Sequence, residues 1–212
     1  MSDQDQRQDE LELTPEKSGN PVKEMFLLAA LYLPLGFFLW FFMASGLMFP
    51  ASNLAEWLLT SLFPELFSGI FQAGFIFEMQ SPLTVTNPED GQLMPLTWDI
   101  NPMIYAWGMA LLFGLIMATP MSALRRFLQI LVALVVVTLV TVWGVFWEAL
   151  RDLAFLFGPE IGEAVRQSSL SPTAIALCYQ LGYLMFPGVI PIAAWILMNR
   201  PFIEKLVEHR RI

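Results

Sequence analysis

Charge, cysteine and histidine are all scarce in this sequence. Only 14% of the 212 residues are charged and 56% are hydrophobic, whereas a soluble domain normally carries about 25% charged residues. The one cysteine, Cys178, excludes an intramolecular disulfide and a multi-cysteine metal site. The one histidine, His209, excludes a histidine-rich site. The shortage of charge predicts a protein that lies in a lipid bilayer.

Sequence motifs of catalysis and of nucleic-acid binding are also missing. There is no HExxH, GxSxG or P-loop pattern, and no basic stripe with interleaved aromatic residues. Cys178 and His209 would lie roughly 45 Å apart along a helix, far outside hydrogen-bond reach. We therefore predict no catalytic residue, no cofactor, no metal and no nucleic-acid partner. Enzymatic activity stays open as an alternative.

Four apolar stretches are long enough to cross a bilayer, which takes roughly 20 residues. They are Met25–Phe49, Met103–Thr119, Phe127–Leu150 and Thr173–Met198. They predict an all-α integral membrane protein with four transmembrane helices and a small extracytoplasmic segment of interfacial helix plus short β-hairpin. The predicted segments are a disordered tail (1–24), transmembrane helices (25–49, 102–120, 127–150 and 172–199), a basic turn (121–126), extracytoplasmic segments (50–101 and 151–171) and a second tail (200–212).

Lysine and arginine predict the orientation of these helices. With four crossings, both termini lie on the same side as Arg125 and Arg126, and that side holds nine basic residues. The other side holds only Arg151 and Arg166. Because basic loops stay in the cytoplasm, both termini are predicted to be cytoplasmic in a bacterial inner membrane. Arg125 and Arg126 are then topology determinants.

The segment 50–101 combines two patterns. Asn53 and Glu56 have the spacing of a capping box. Apolar residues at helical spacing follow and continue to Ile70 and Phe71, which predicts an interfacial helix. The later residues are rich in β-branched and aromatic types, and 87–91 is a strong turn signal, so a hairpin or a three-stranded patch is predicted.

Polar residues at the ends of the predicted spans form a candidate functional rim. Asn101 is a good helix N-cap before Pro102, and Arg151 can pair with either neighbouring acid. The rim residues are Asp99, Asn101, Glu148, Arg151 and Asp152. Either these residues have a role in function, or they only form ion pairs and favourable contacts with helix dipoles at the membrane rim. A row of small residues, Ala110, Gly114 and Ala118, favours close helix packing.

The last predicted span contains several helix-breaking residues, namely Gly182, Pro187, Gly188 and Pro191. Proline removes a backbone hydrogen bond, so this helix is predicted to be kinked or broken. Broken helices mark substrate sites in transporters, but no charged residue accompanies this break. A transporter is therefore kept only as an alternative.

Several short motifs resemble one known family. They are Leu33-Pro34-Leu35, Trp40, Phe75–Glu78, Asp99–Gly108, Ala118-Thr119-Pro120, Trp143–Phe146 and Leu150. With this set the chain resembles the exosortase H-associated membrane proteins, which are bacterial inner-membrane proteins that accompany an exosortase. An exosortase is a membrane enzyme that processes proteins bearing a C-terminal sorting signal. The layout also resembles exosortases, but their catalytic cysteine has no counterpart near Asn101–Tyr105.

The resemblance implies a non-catalytic accessory protein of an exosortase-type sorting or envelope system. Its helices would contact membrane lipid and a membrane-protein partner, and residues 54–101 would face a partner or a substrate. The alternatives are a membrane enzyme that uses the rim acids, and a small transporter subunit.

Overall fold

The computed structural model describes residues 21–86, 91–168 and 170–208. Most of the predicted disordered tail (1–24), most of the predicted turn (87–91) and His209 lie outside the described residues. The helices are α1 Pro21–Phe42, α2 Ala44–Leu62, α3 Met103–Ala106, α4 Gly108–Ala118, α5 Ala123–Phe155, α6 Pro159–Gln167, α7 Pro172–Gln180, α8 Phe186–Met198 and α9 Arg200–Glu208. A π-helical segment, Leu181–Met185, joins α7 to α8, and the strands are β1 Gly69–Ala73, β2 Ile76–Thr86 and β3 Leu93–Ile100.

Three helical stretches within the described residues are long and apolar enough to cross a membrane. They are Lys23–Phe42, Ala123–Phe155 and Pro172–Met198. The fourth predicted span corresponds to the shorter apolar stretch Met103–Ala118. Its 16 residues rise only about 24 Å if helical throughout, which is less than a hydrocarbon core of about 30 Å. Three candidate spans are thus present, and the fourth predicted crossing is the short one.

The first predicted span is divided between two helices. The apolar stretch 25–49 crosses a bend at Met43, whose ψ of 4° departs from helical geometry. Helix α2 therefore begins at Ala44, well before the predicted cap. Asn53 lies inside α2 and donates from Nδ2 to the carbonyl of Phe49 at 2.8 Å. Hydropathy does not report the direction of the chain, so the sequence pattern could not locate this bend.

Helix α5 is the central helix of the molecule. It has 33 residues and packs against α2, α4, α6, α7 and α8. Its buried positions Ala133, Val137, Val140 and Gly144 recur at intervals of three and four and form one continuous face. The predicted basic turn is wrong in part, because Ser122 Oγ accepts a hydrogen bond from the Arg125 amide and starts α5 at Ala123. Arg125 and Arg126 therefore lie in its first helical turn.

The last candidate span is continuous despite its prolines. Of the two predicted forms, kinked or broken, the broken one is absent, since helical structure runs from Pro172 to Met198 through the π-helical segment. In that segment the amide of Phe186 donates to the carbonyl of Leu181, five residues back. Pro187 follows immediately and has no N–H to donate. The wider π turn absorbs one extra residue at the place where the regular hydrogen-bond ladder is interrupted.

The strands form one antiparallel sheet with the order β1-β2-β3. The predicted helix through Ile70 and Phe71 is wrong, because these residues lie in β1 and pair with Met79 and Glu78. Gly74, with φ of 66°, lies in the turn that joins β1 to β2. Of the two predicted forms, a short hairpin or a three-stranded patch, the structure has the three-stranded one.

The two faces of the sheet differ in burial. The buried residues Ile70, Phe77, Met79, Leu96 and Ile100 belong to the hydrophobic core shared with α2 and α5. The other face carries Phe71, Glu78 and Asp99, which follow one another directly across the three strands. We call the end of the helix bundle that bears this sheet the sheet end, and the end near Arg125 and Arg126 the basic end.

Candidate functional site

A polar cluster lies where α3, α5 and α7 meet near the sheet end. The hydroxyl of Tyr105 donates to Glu148 Oε2 at 2.8 Å. Arg151 Nη2 donates to Glu148 Oε1 at 3.1 Å. Both carboxylate oxygens of Glu148 therefore already accept a hydrogen bond from within the protein. We call Tyr105, Glu148, Arg151, Asp152 and Tyr179 the polar cluster.

Arg151 connects the remaining members of the polar cluster. Its Nη2 lies 2.9 Å from Asp152 Oδ1. Its guanidinium carbon lies 4.4 Å from the centroid of the Tyr179 ring, a distance at which a cation is attracted to the ring face. The side chain of Arg151 is 25% exposed, against 13% for Glu148 and 7% for Asp152. Two acids thus share one arginine, and the arginine is the member most open to solvent.

Local sequence explains why these side chains meet. Asn101 Oδ1 accepts from the amide of Met103 at 3.1 Å, and this contact starts α3. Tyr105 follows within one turn and lies directly over Gly144, where a Cβ atom would be 2.3 Å from the Tyr105 ring. Glu148 is four residues beyond Gly144 and so lies on the same face of α5. The missing side chain of Gly144 lets the tyrosine reach the carboxylate.

One buried donor of the polar cluster, Arg151 Nε, has no hydrogen-bond partner within the described part of the chain. Asp152 Oδ1 lies 2.9 Å from Arg151 Nη2, and the side chain of Trp98 also lies beside the Asp152 carboxylate. An unpaired donor is costly when it is buried. The cluster therefore retains one free donor beside Asp152.

The predicted rim residues do not all come together. Glu148, Arg151 and Asp152 form one group, and Asn101 organises the turn that leads to Tyr105. Asp99 is exposed and lies across from Glu78 in the strand register. Neighbouring residues of a strand point to opposite faces, so Asp99 faces away from the side on which Ile100 is buried. Asp99 therefore stands apart from the polar cluster.

Sequence reasoning missed the aromatic members of this site. Tyr105 and Tyr179 are both brought to α5 by contacts between residues far apart in the chain. Tyr183 lies one turn after Tyr179, and their rings stack with centroids 5.7 Å apart. The spacing of Tyr179 and Tyr183 on one helix face was the only available signal.

The row of small residues lies on buried positions of α4. Ala110, Gly114 and Ala118 are all buried. A Cβ atom on Gly114 would be 2.7 Å from Leu33 of α1, and one on Gly36 of α1 would be 2.8 Å from the carbonyl oxygen of Ala110. These distances mean that α1 and α4 approach each other closely through their glycines.

A second polar contact lies at the basic end and was not predicted. Gln129 Nε2 donates to Asn199 Oδ1 at 2.9 Å, and Asn199 Nδ2 donates to Gln129 Oε1 at 3.2 Å. Both side chains are buried, at 5% and 1% exposure. Arg125 Nη2 donates to the carbonyl of Met198 beside this pair at 3.0 Å. The start of α5 is thereby fastened to the end of α8.

The chemistry available in the described residues is limited. No group of three or more His, Cys, Asp or Glu side chains able to hold a metal occurs among them. Cys178 is half-buried on α7, and its backbone carbonyl accepts from Trp143 Nε1 at 3.1 Å. Glu148 is held by two donors, which position it and occupy one lone pair on each of its oxygens.

Comparison with known proteins identifies the family of the chain. No curated protein and no solved structure shows significant similarity to it. One family model, described as exosortase H-associated membrane protein, matches residues 19–202. This match spans every helix and strand from α1 to α8 and the first residues of α9. The chain therefore belongs to the family of exosortase H-associated membrane proteins.

Proposed function

We propose that this protein is a non-catalytic accessory subunit that binds an exosortase-type sorting enzyme in the bacterial inner membrane. The observation that carries the proposal is the family match over residues 19–202, because the name of that family states an association with exosortase H. In this proposal both termini are cytoplasmic, and the sheet end is extracytoplasmic. The excess of lysine and arginine near the termini and the basic end supports this orientation.

The polar cluster supports a structural role more than a catalytic one. Both oxygens of Glu148 are engaged by Tyr105 and Arg151, and Asp152 lies against the same arginine. An ion group closed in this way fixes α3, α5 and α7 relative to one another. It offers no metal ligand set among the described side chains.

An apolar groove on the side of the bundle is a candidate surface for the partner. Helix α1 packs mainly on α4, and α5 borders the other side of the groove. The groove measures about 230 Å³ and is lined by residues such as Gly36, Met109 and Leu134. The indole nitrogen of Trp40 lies in this region, buried and without an acceptor in the described chain. We propose that an apolar helix of the enzyme, carrying one hydrogen-bond acceptor, occupies the groove.

Co-purification with the enzyme tests this proposal. The full chain and exosortase H are expressed together, and a tag on the chain is captured in a mild detergent. Leu131→Trp places a large ring in the groove that Leu131 lines. The matched control is Val132→Trp, because Val132 lies at the same depth on α5 and has similar exposure, 46% against 43%.

We expect Leu131→Trp to lower recovery of the enzyme about tenfold, since overpacking a formed interface costs 1–3 kcal/mol. Val132→Trp should leave recovery unchanged. Absence of the enzyme from the wild-type eluate would contradict the accessory role itself. Equal losses in the two variants would contradict the groove as the contact and leave the association standing.

One observation favours a membrane enzyme as the second candidate. The donor Arg151 Nε is buried beside Asp152 and has no hydrogen-bond partner within the described residues. A substrate group could bind there. Asp152→Asn discriminates the two candidates. If sorting in cells is lost while the enzyme still co-purifies with the variant, the catalytic candidate gains; if both persist, the cluster is structural.

A further inference from the structure

A groove at the basic end lies level with the ends of the apolar helices. It measures about 240 Å³ and is lined by Glu24 and Met25 of α1, by Thr119 after α4, by Arg126 of α5 and by Phe202 of α9. Two of the candidate membrane spans begin at this level, at Lys23 and at Ala123, and the third ends there, at Met198. Helices of this kind end where the hydrocarbon meets the lipid headgroups. The groove therefore lies at the depth of a headgroup.

Arg126 lines this groove and makes no ion pair within the described chain. Its side chain is half-buried. Its neighbour Arg125 instead donates to the carbonyl of Met198. Arg126 is also in the first turn of α5, where the helix dipole favours an anion. A groove-lining guanidinium at a helix start is suited to binding phosphate oxygens.

Glu24 provides the opposite charge in the same groove. The ion pairs of the described residues include none between Glu24 and Arg126. One acidic and one basic side chain therefore line the groove with no direct ion pair between them. Met25, Leu28 and Phe202 line the same groove with apolar surface. The combination matches a ligand that carries a phosphate, an amine and a hydrocarbon chain.

We propose that this groove binds a membrane phospholipid with a phosphoethanolamine headgroup. Arg126 holds the phosphate, Glu24 accepts from the ammonium group, and Met25, Leu28 and Phe202 contact the start of an acyl chain. A choline headgroup has no N–H to donate to Glu24. An anionic glycerol headgroup has no positive charge to meet that carboxylate. The proposal goes beyond the accessory function and does not depend on it.

Lipid retention by the purified full chain tests the site. The protein is exchanged into detergent and titrated separately with phosphatidylethanolamine, phosphatidylcholine and phosphatidylglycerol, and bound lipid is counted by native mass spectrometry. We expect phosphatidylethanolamine to bind about tenfold more tightly than the other two, the effect of one charge-assisted hydrogen bond. Arg126→Gln should weaken it about tenfold. Glu24→Gln should abolish the preference over phosphatidylcholine.

Arg125→Gln is the matched control. It removes the same charge from the neighbouring residue, whose side chain does not line the groove. Equal weakening in Arg125→Gln and Arg126→Gln overturns the proposal, as does equal binding of all three lipids by the wild type. If Arg126→Gln does not fold, Arg126→Lys keeps the charge and removes the forked guanidinium, and a partial loss is expected. Competition by free phosphoethanolamine at the lipid's own concentration shows that no lipid is selected and overturns the proposal too.

Discussion

The hydroxyl of Tyr105 lies 2.8 Å from Glu148 Oε2, and this contact joins α3 to α5 across 43 residues of sequence. Tyr105 is completely buried, and its ring occupies the space that a side chain at Gly144 would need. One tyrosine therefore combines a packing contact with a polar one. The two contributions can be separated by mutation.

Replacing Tyr105 with phenylalanine removes the polar contribution alone. Glu148 Oε2 then loses its donor while the ring remains in place, which costs about 1–3 kcal/mol of unfolding free energy. The measurement is reversible unfolding of the purified protein in mixed detergent micelles. Tyr183→Phe is the control, because the Tyr183 ring is 47% exposed and its contacts in the described chain are ring contacts. Equal destabilisation by both changes would contradict the assignment.

Replacing Gly144 with alanine tests the packing contribution. The new Cβ would lie 2.3 Å from two atoms of the Tyr105 ring, so the ring or the helix must move. We expect a loss of about 1–3 kcal/mol or more, as for other overpacked cores. Gly46→Ala is the matched control, since a Cβ there meets nothing within 4 Å and alanine favours a helix. A Gly144→Ala protein as stable as the wild type would show that Tyr105 packs less closely against α5 than described.

The paired amides of Gln129 and Asn199 predict strong coupling between α5 and α8. Replacing either residue with leucine leaves the buried partner amide with unsatisfied groups. The double replacement removes both polar groups, and we expect it to be less harmful than the sum of the single changes by about 0.5–3 kcal/mol. A double-mutant cycle of unfolding free energies measures this. Additive effects would indicate that the pair is not formed in the membrane.

Accessibility of single cysteines tests the orientation. Cys178 is first replaced by alanine, and a cysteine is then placed at Thr97 in β3 or at Leu124 at the start of α5, both of which are exposed. In intact spheroplasts an impermeant thiol reagent should label position 97 and not position 124. Permeabilised cells, in which both sites should react, provide the control. The reverse labelling would overturn the predicted arrangement of both termini.

Sequence patterns predicted the elements that depend on local composition. The apolar stretches located the long helices, and Asn101 before Pro102 marked the start of α3, where Asn101 Oδ1 accepts from the Met103 amide at 3.1 Å. The helical reading of Ile70 failed because its apolar spacing fits a helix, while pairing with β2 decides the outcome. Such pairing is invisible to a short window of sequence.

The polar cluster was only partly predictable for the same reason. Glu148, Arg151 and Asp152 are neighbours on one helix, and the contact between Glu148 and Arg151 follows from their spacing of three residues. Tyr105 and Tyr179 come from other elements, and their place depends on how closely α3 and α7 approach α5. Gly144 and Gly182 permit that approach, since a Cβ on Gly182 would be 2.9 Å from Trp143. A single sequence does not tell which glycines lie where two helices pack closely together.

The length of α5 fixes the distance between the arginines at its start and the polar cluster near its end. Arg125 and Glu148 are separated by 23 residues of one unbroken helix, which is about 34 Å and close to the roughly 30 Å of a bilayer's hydrocarbon layer. Thicker membranes would draw one of these charges into hydrocarbon, whereas thinner ones would leave apolar helix surface in water. Acyl-chain length is therefore a variable to which this protein should respond, with its greatest stability in membranes that match this helix.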